Sequence, residues 1–90
     1  MRHELKIFKA LSDETRLNIV EFLLDGEKCV CEIFPHMKRT QSTVSIHLGI
    51  LEKAGILSSR RDGKRIYYRI KDPKVRSILN ALKLKCSEGD

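Results

Sequence analysis

Thr40-Gln41-Ser42-Thr43-Val44-Ser45-Ile46-His47-Leu48, followed by a basic segment with Asp62-Gly63 at its tip, decides how this chain folds. Thr40 can cap a helix, and Val44, Leu48 and Leu51 then fall at i, i+4 and i+7, giving that helix a buried side. Gln41, Ser42, Ser45 and His47 supply short polar groups on the other side. Such groups let a backbone approach base edges closely while still donating and accepting hydrogen bonds. A helix anchored behind and polar in front, beside a positively charged ribbon, is the pattern of a duplex-DNA reader.

The rest of the chain can be worked out from that helix. It closes at Ala54-Gly55, and Leu57 to Arg61 with Lys64 to Ile70 form a hairpin around Asp62-Gly63, the signal for a two-residue type I′ turn. Ile66, Tyr68 and Ile70 alternate with Arg65, Tyr67 and Arg69, so one strand face packs while the other meets solvent or phosphate. Upstream, Lys38-Arg39 forms a turn after a short third helix that starts at Cys29. Glu32 stands three residues on, the capping-box spacing with Cys in place of Ser or Thr, and Pro35 should kink or shorten the helix. Asp13 caps a second helix that carries Leu17, Val20, Phe22 and Leu24 inward before the stop at Asp25-Gly26. Glu4 to Leu11 is a first helix with Leu5, Phe8 and Leu11 on one side. Asp72-Pro73 opens the last helix, whose Val75, Ile78, Leu79 and Leu82 form an apolar stripe. That stripe is expected to form a subunit seam with the first helix. The sum is a mainly α protein with a small β-hairpin, a winged helix-turn-helix over residues 1–85 that dimerises through its first and last helices. Residues 86–90 are expected to be a flexible tail.

Charge supports the polyanion. The net charge is +6, and from Ser58 to Lys71 six cations (Arg60, Arg61, Lys64, Arg65, Arg69, Lys71) face one acid, Asp62, so 6 − 1 = +5 sits on the hairpin. Concentrated positive charge points to phosphates, since each contact releases condensed counterions. The expected DNA-facing residues are Thr40, Gln41, Ser42, Thr43, Ser45, Ile46 and His47 on the helix, and Arg60, Arg61, Lys64 and Arg65 on the wing. His36, beside Pro35, is expected on the surface of the turn. No apolar run approaches the ~20 residues that span a bilayer. Three cysteines, an odd number, argue against a disulfide framework and for a reducing cytoplasm. No catalytic triad order, Gly-rich phosphate loop or paired carboxylates appear, so an enzyme is not expected.

Three motifs together resemble the ArsR/SmtB family of metal-responsive repressors. Phe8-Lys9-Ala10-Leu11-Ser12-Asp13-Glu14-Thr15-Arg16-Leu17 is similar to that family's first-to-second helix signature, Cys29-Val30-Cys31-Glu32-Ile33 to the cysteine box of its arsenic- and cadmium-sensing members, and Gln41-Ser42-Thr43-Val44-Ser45 with His47-Leu48 to its recognition helix. The resemblance implies a homodimeric repressor that releases operator DNA when an inducer binds. Two departures stand out: Ile46 where the family often has Arg, and Gly49 where it has a longer polar or basic residue. The last helix, from Val75 to Lys85, supplies no His for the zinc site that relatives build there.

Cys29 and Cys31 are the candidate inducer ligands. Soft thiolates select soft ions, and a pair at a helix N-terminus is biased toward the ionised form by the helix dipole. Arsenic(III) prefers three sulfurs; the position three after Cys31 is Phe34, and Cys86 is the one other thiol. No obligatory cofactor is expected; the inducer would be arsenite or a soft divalent metal ion. A thiol-based redox switch is the alternative on the same fold, followed by a winged-helix module for protein or RNA.

Overall fold

A computed structural model describes the backbone of residues 2–89 and the side chains of residues 2–82. Helices α1 (His3–Leu11) and α2 (Glu14–Phe22) are followed by a short strand β1 (Lys28–Cys29), then α3 (Val30–Met37), α4 (Gln41–Lys53), β2 (Leu57–Asp62), β3 (Arg65–Ile70) and α5 (Pro73–Gly89). Local chemistry sets most of these boundaries. The Asp13 carboxylate accepts the Arg16 N–H at 3.1 Å and starts α2. The Thr40 hydroxyl accepts the Thr43 N–H at 3.2 Å and starts α4 at the expected residue. Asp72 accepts the Lys74 N–H at 2.9 Å, with Pro73 as the first residue of α5.

α3 carries the capping box with cysteine in it: Cys29 Sγ accepts the Cys31 N–H at 3.2 Å while Glu32 accepts the Cys29 N–H at 2.9 Å. Pro35 lies inside α3, which spans only eight residues and ends where Lys38 turns left-handed at φ 56°.

The sheet has three strands, not two. β1 pairs antiparallel with β3, Lys28 opposite Tyr68 and Cys29 opposite Tyr67, giving the order β1-β3-β2. The wing turn also differs from expectation. Asp62 pairs with Arg65, so the two-residue loop is Gly63-Lys64. Gly63 has φ 65° and Lys64 has no positive φ, which excludes type I′ and fits type II′, with Gly at the first central position.

Behind α4, Val44, Leu48 and Leu51 enter one core with Ile7, Ala10, Ile19, Val20, Leu23, Ile33, Ile56, Leu57, Ile70, Val75 and Leu79. Ile19 and Leu23 are fully buried where the sequence pointed to Phe22 and Leu24, which are only partly so. α2 ends two residues before Leu24, and Phe22 instead stacks its ring on His36 at 3.9 Å. His36 is exposed as expected but lies in the last turn of α3 rather than in the turn that follows it. The stripe on α5 divides: Val75 and Leu79 join the core, while Ile78 and Leu82 stay exposed, as do Leu5 and Phe8 of α1, and Phe8 and Ile78 line one cleft. Leu79 is thus a core residue of the single chain. The backbone of α5 continues through Gly89, across most of the segment expected to be a tail.

Candidate DNA interface and thiol pair

Along the first turns of α4 the exposed residues Gln41, Ser42, Ser45, Ile46 and Gly49 are spaced i, i+1, i+4, i+5 and i+8 on one face; Ile50, Glu52 and Lys53 are exposed toward its far end. Ile46 is 63% exposed, an apolar residue suited to a thymine methyl rather than to a hydrogen bond. Thr40 and Thr43 sit at the start of α4, and their hydroxyls are joined at 2.9 Å within the cap.

His47 departs from the expected DNA side. It lies three residues after Val44 and four before Leu51, on the edge of α4 that looks at α2. There its Nδ1 is 3.2 Å from an Arg16 guanidinium nitrogen and 3.9 Å from an Asp13 carboxylate oxygen. Arg16 also donates through Nε to the Ala10 carbonyl at 2.7 Å, so this arginine ties α1 and α2 to the recognition helix. The Asp13 carboxyl is held below its ordinary value, chiefly by the Arg16 N–H and further by the charges of His47 and Arg16.

The wing arginines are not equivalent. Arg60 makes two hydrogen bonds to Glu27, 2.9 Å from Nε and 2.7 Å from Nη2, and its guanidinium lies over the Tyr67 ring at 4.6 Å. Arg60's hydrogen bonds lower the Glu27 carboxyl below its usual range and raise the guanidinium in turn. Arg61, Lys64 and Arg65 are exposed and form no ion pair with a described residue. Tyr68, on the packed face, has its phenol pushed up by burial. Ser59 donates to Glu52 at 2.8 Å and pins the base of the wing to α4.

The cysteine pair lies between these parts. Cys29 is buried, Cys31 is exposed, and their sulfurs are joined as a disulfide across one intervening residue. A cleft of about 190 Å³ brings both cysteines and Phe34 together with Gln41 of α4 and Lys64 and Arg65 of the wing. The third thiol, Cys86, has a side chain outside the described residues, and no group of three metal-ligating side chains occurs among those described. Nothing in the sequence signalled β1, Arg16 as a strut or the Glu27–Arg60 pair, because each depends on residues brought together by the fold.

The sequence profile of the bacterial regulatory protein arsR family matches residues 13–59, more than half of the chain. This protein belongs to the ArsR family. An uncharacterised helix-turn-helix transcriptional regulator of Methanocaldococcus jannaschii is 45% identical over 75 residues, 82% of this chain and 84% of that protein. A probable mercury resistance operon repressor of Streptomyces lividans is 40% identical over 74 residues, 82% of this chain but 59% of that protein. A homologue of the cadmium resistance regulator CadC from Staphylococcus aureus is 41% identical, covering 82% of this chain and 62% of its own length. Among solved structures, the homodimeric winged helix-turn-helix domain of a possible ArsR-family regulator of Mycobacterium bovis superposes with TM-score 0.86 at 30% identity, over 97% of this chain and 81% of that one. The ArsR-family chain described here is therefore a DNA-binding transcriptional regulator of the winged helix type, not an enzyme. Among its described residues no helix is long and apolar enough to cross a membrane.

Proposed function

We propose that this ArsR-family protein is a homodimeric cytoplasmic repressor that leaves its operator when a thiophilic ion engages Cys29 and Cys31. The observation that carries the reading is the shared cleft, in which the cysteine pair adjoins the first residue of the recognition helix and two free cations of the wing. A ligand at the sulfurs would meet DNA-binding groups directly. Gln41, Ser42, Ser45 and Ile46 would face the major groove, with Arg61, Lys64 and Arg65 on phosphates. Thr40 and Thr43 would hold the helix start against the backbone, and His47 and Arg60 would act as struts. Two thiolates suit a soft ion, whose remaining positions fall to solvent, a small thiol or Cys86. Relatives named for mercury and cadmium resistance support that class of inducer. The dimer reading rests on Leu5 and Phe8 of α1 and Ile78 and Leu82 of α5, between 38% and 56% exposed, of which Phe8 and Ile78 line one cleft, and on the homodimeric Mycobacterium bovis domain.

Reduced protein bound to a fluorescent duplex from its own promoter region would be titrated with mercury(II), cadmium(II), arsenite and zinc(II). Release by the soft ions at concentrations where zinc(II) does nothing supports the proposal, and no release by any of them refutes it. The joined sulfurs favour a second reading, a redox switch closed by a Cys29–Cys31 disulfide. Release by peroxide alone, reversed by dithiothreitol, would select it.

A further inference from the structure

A second concavity lies toward the other end of α4. It is a groove of about 570 Å³ between α1, α2 and α4, far along the helix from Gln41 and the thiol cleft. Ala10, Ile50 and Ala54 make its floor apolar, and Lys6, Lys9, Arg16 and Lys53 stand around it. No acidic side chain among the described residues lines it, and none of the three lysines forms an ion pair with a described residue. Arg16 is fixed by its bonds to the Ala10 carbonyl and His47, and its guanidinium keeps N–H donors that these two bonds do not use.

We infer that this groove binds an amphiphilic organic anion, a carboxylate or sulfonate carried on an apolar body. The three lysines stand on the rim without an ion-pair partner among the described residues, beside an Arg16 whose charge also acts on Asp13; like charges repel one another, and an anionic head relieves that repulsion. Cations alone would serve equally for a DNA phosphate. The apolar floor does not, because a phosphodiester would leave Ile50, 39% exposed, uncovered. The volume falls within the ~300–1,000 Å³ of small-molecule pockets. An occupant would rest on the last turns of the recognition helix and on the Arg16 strut, so it would bear on the seat of α4 independently of the cysteines.

The test uses decanoate below its micelle concentration, added to the whole chain while backbone amide shifts are followed by NMR. The expected result is saturable shifts at Lys6, Lys9, Ala10, Arg16 and Ile50 to Ala54. Decanol should bind at least about tenfold more weakly, the loss expected for a charge-assisted hydrogen bond, and decyltrimethylammonium should not bind there. The variant Lys9→Glu/Lys53→Glu, altered at two exposed positions, should lose decanoate at least about tenfold with an unchanged circular dichroism spectrum. Equal binding of the three probes, or decanoate shifts centred on Leu5, Phe8 and Ile78, would overturn the inference. So would shifts at these residues produced by a non-operator duplex and not by decanoate, which would make the rim a phosphate contact.

Discussion

Arg65→Ala and Arg60→Ala should behave differently in a salt titration, although both arginines lie on one face of one hairpin. Arg65 is exposed without an ion-pair partner among the described residues, so any phosphate it meets is a newly neutralised charge. Each such contact contributes ~0.9 to the slope of log affinity against log salt, or ~1.8 for the two wings of a dimer. Between 50 and 200 mM salt, a span of ~0.6 in the logarithm, the wild type should lose ~12-fold more affinity than Arg65→Ala. Arg60 already gives its charge to Glu27 through two short hydrogen bonds, so its removal should leave the slope nearly unchanged. Glu27→Gln should release Arg60 and steepen the slope. Fluorescence anisotropy of a labelled promoter duplex at four or more potassium chloride concentrations reads all three variants. An unchanged slope for Arg65→Ala would remove the wing from the phosphate contacts. An equal drop for Arg60→Ala would mean that the Glu27 pair opens on DNA.

Other expectations follow from packing and turn geometry. Ile78→Glu or Leu82→Glu should give a folded monomer by light scattering, because both side chains are exposed in the single chain, whereas Leu79→Ala should cost about 2–5 kcal/mol in denaturant unfolding. Gly63→Val places a branched side chain at φ 65°, a strain of about 1–2 kcal/mol that should weaken DNA binding through the wing and lower the unfolding midpoint. Asp13 is depressed below 3.8 by the Arg16 N–H first and by His47 and Arg16 charge next, so its contribution is complete above that pH and lost as pH falls through the folded value. Asp13→Ala should therefore lower stability at neutral pH and flatten the acid limb of a pH–stability curve.

The sequence carried the features that are local. Asp13, Cys29, Thr40 and Asp72 announce four helix starts because capping is settled within three residues of chain, and Val44, Leu48 and Leu51 announce a buried face because the helical period is fixed. What it could not carry is pairing between distant segments. β1 is two residues long, too short for any alternation, and exists only because Tyr67 and Tyr68 come alongside. The wing turn lies one residue later than Asp-Gly predicts, because Asp-Gly and Gly-Lys can each close a two-residue loop and the register is decided by Leu57 meeting Ile70 in the core. Polarity alone puts His47 on the outer face, whereas the fold brings to it Arg16, 31 positions away in the chain. Periodicity makes the stripe on α5 a single surface, because it gives a helix face but not what the two edges of that face touch.

Cys29 is at once the partner of Tyr67 in the sheet, the cap of α3 and half of the cysteine pair. A soft ion that draws the Cys29 sulfur away from the Cys31 N–H removes this cap, and a lost cap is worth about 0.5–2 kcal/mol. A coupling that releases DNA is typically ~1–3 kcal/mol, so disturbing this one cap already supplies much of the scale without a long pathway. The consequence separates two substitutions at the same position. Cys29→Ser keeps an acceptor for the cap and removes the soft ligand, so DNA affinity should stay near wild type while mercury(II) and cadmium(II) no longer release the duplex. Cys29→Ala removes both, so it should bind the operator more weakly even without an inducer, with α3 less stable by hydrogen exchange. If Cys29→Ser still responded to soft ions like the wild type, the sensor would lie elsewhere. If Cys29→Ala bound DNA like the wild type, the cap would not be the link between the thiols and α4.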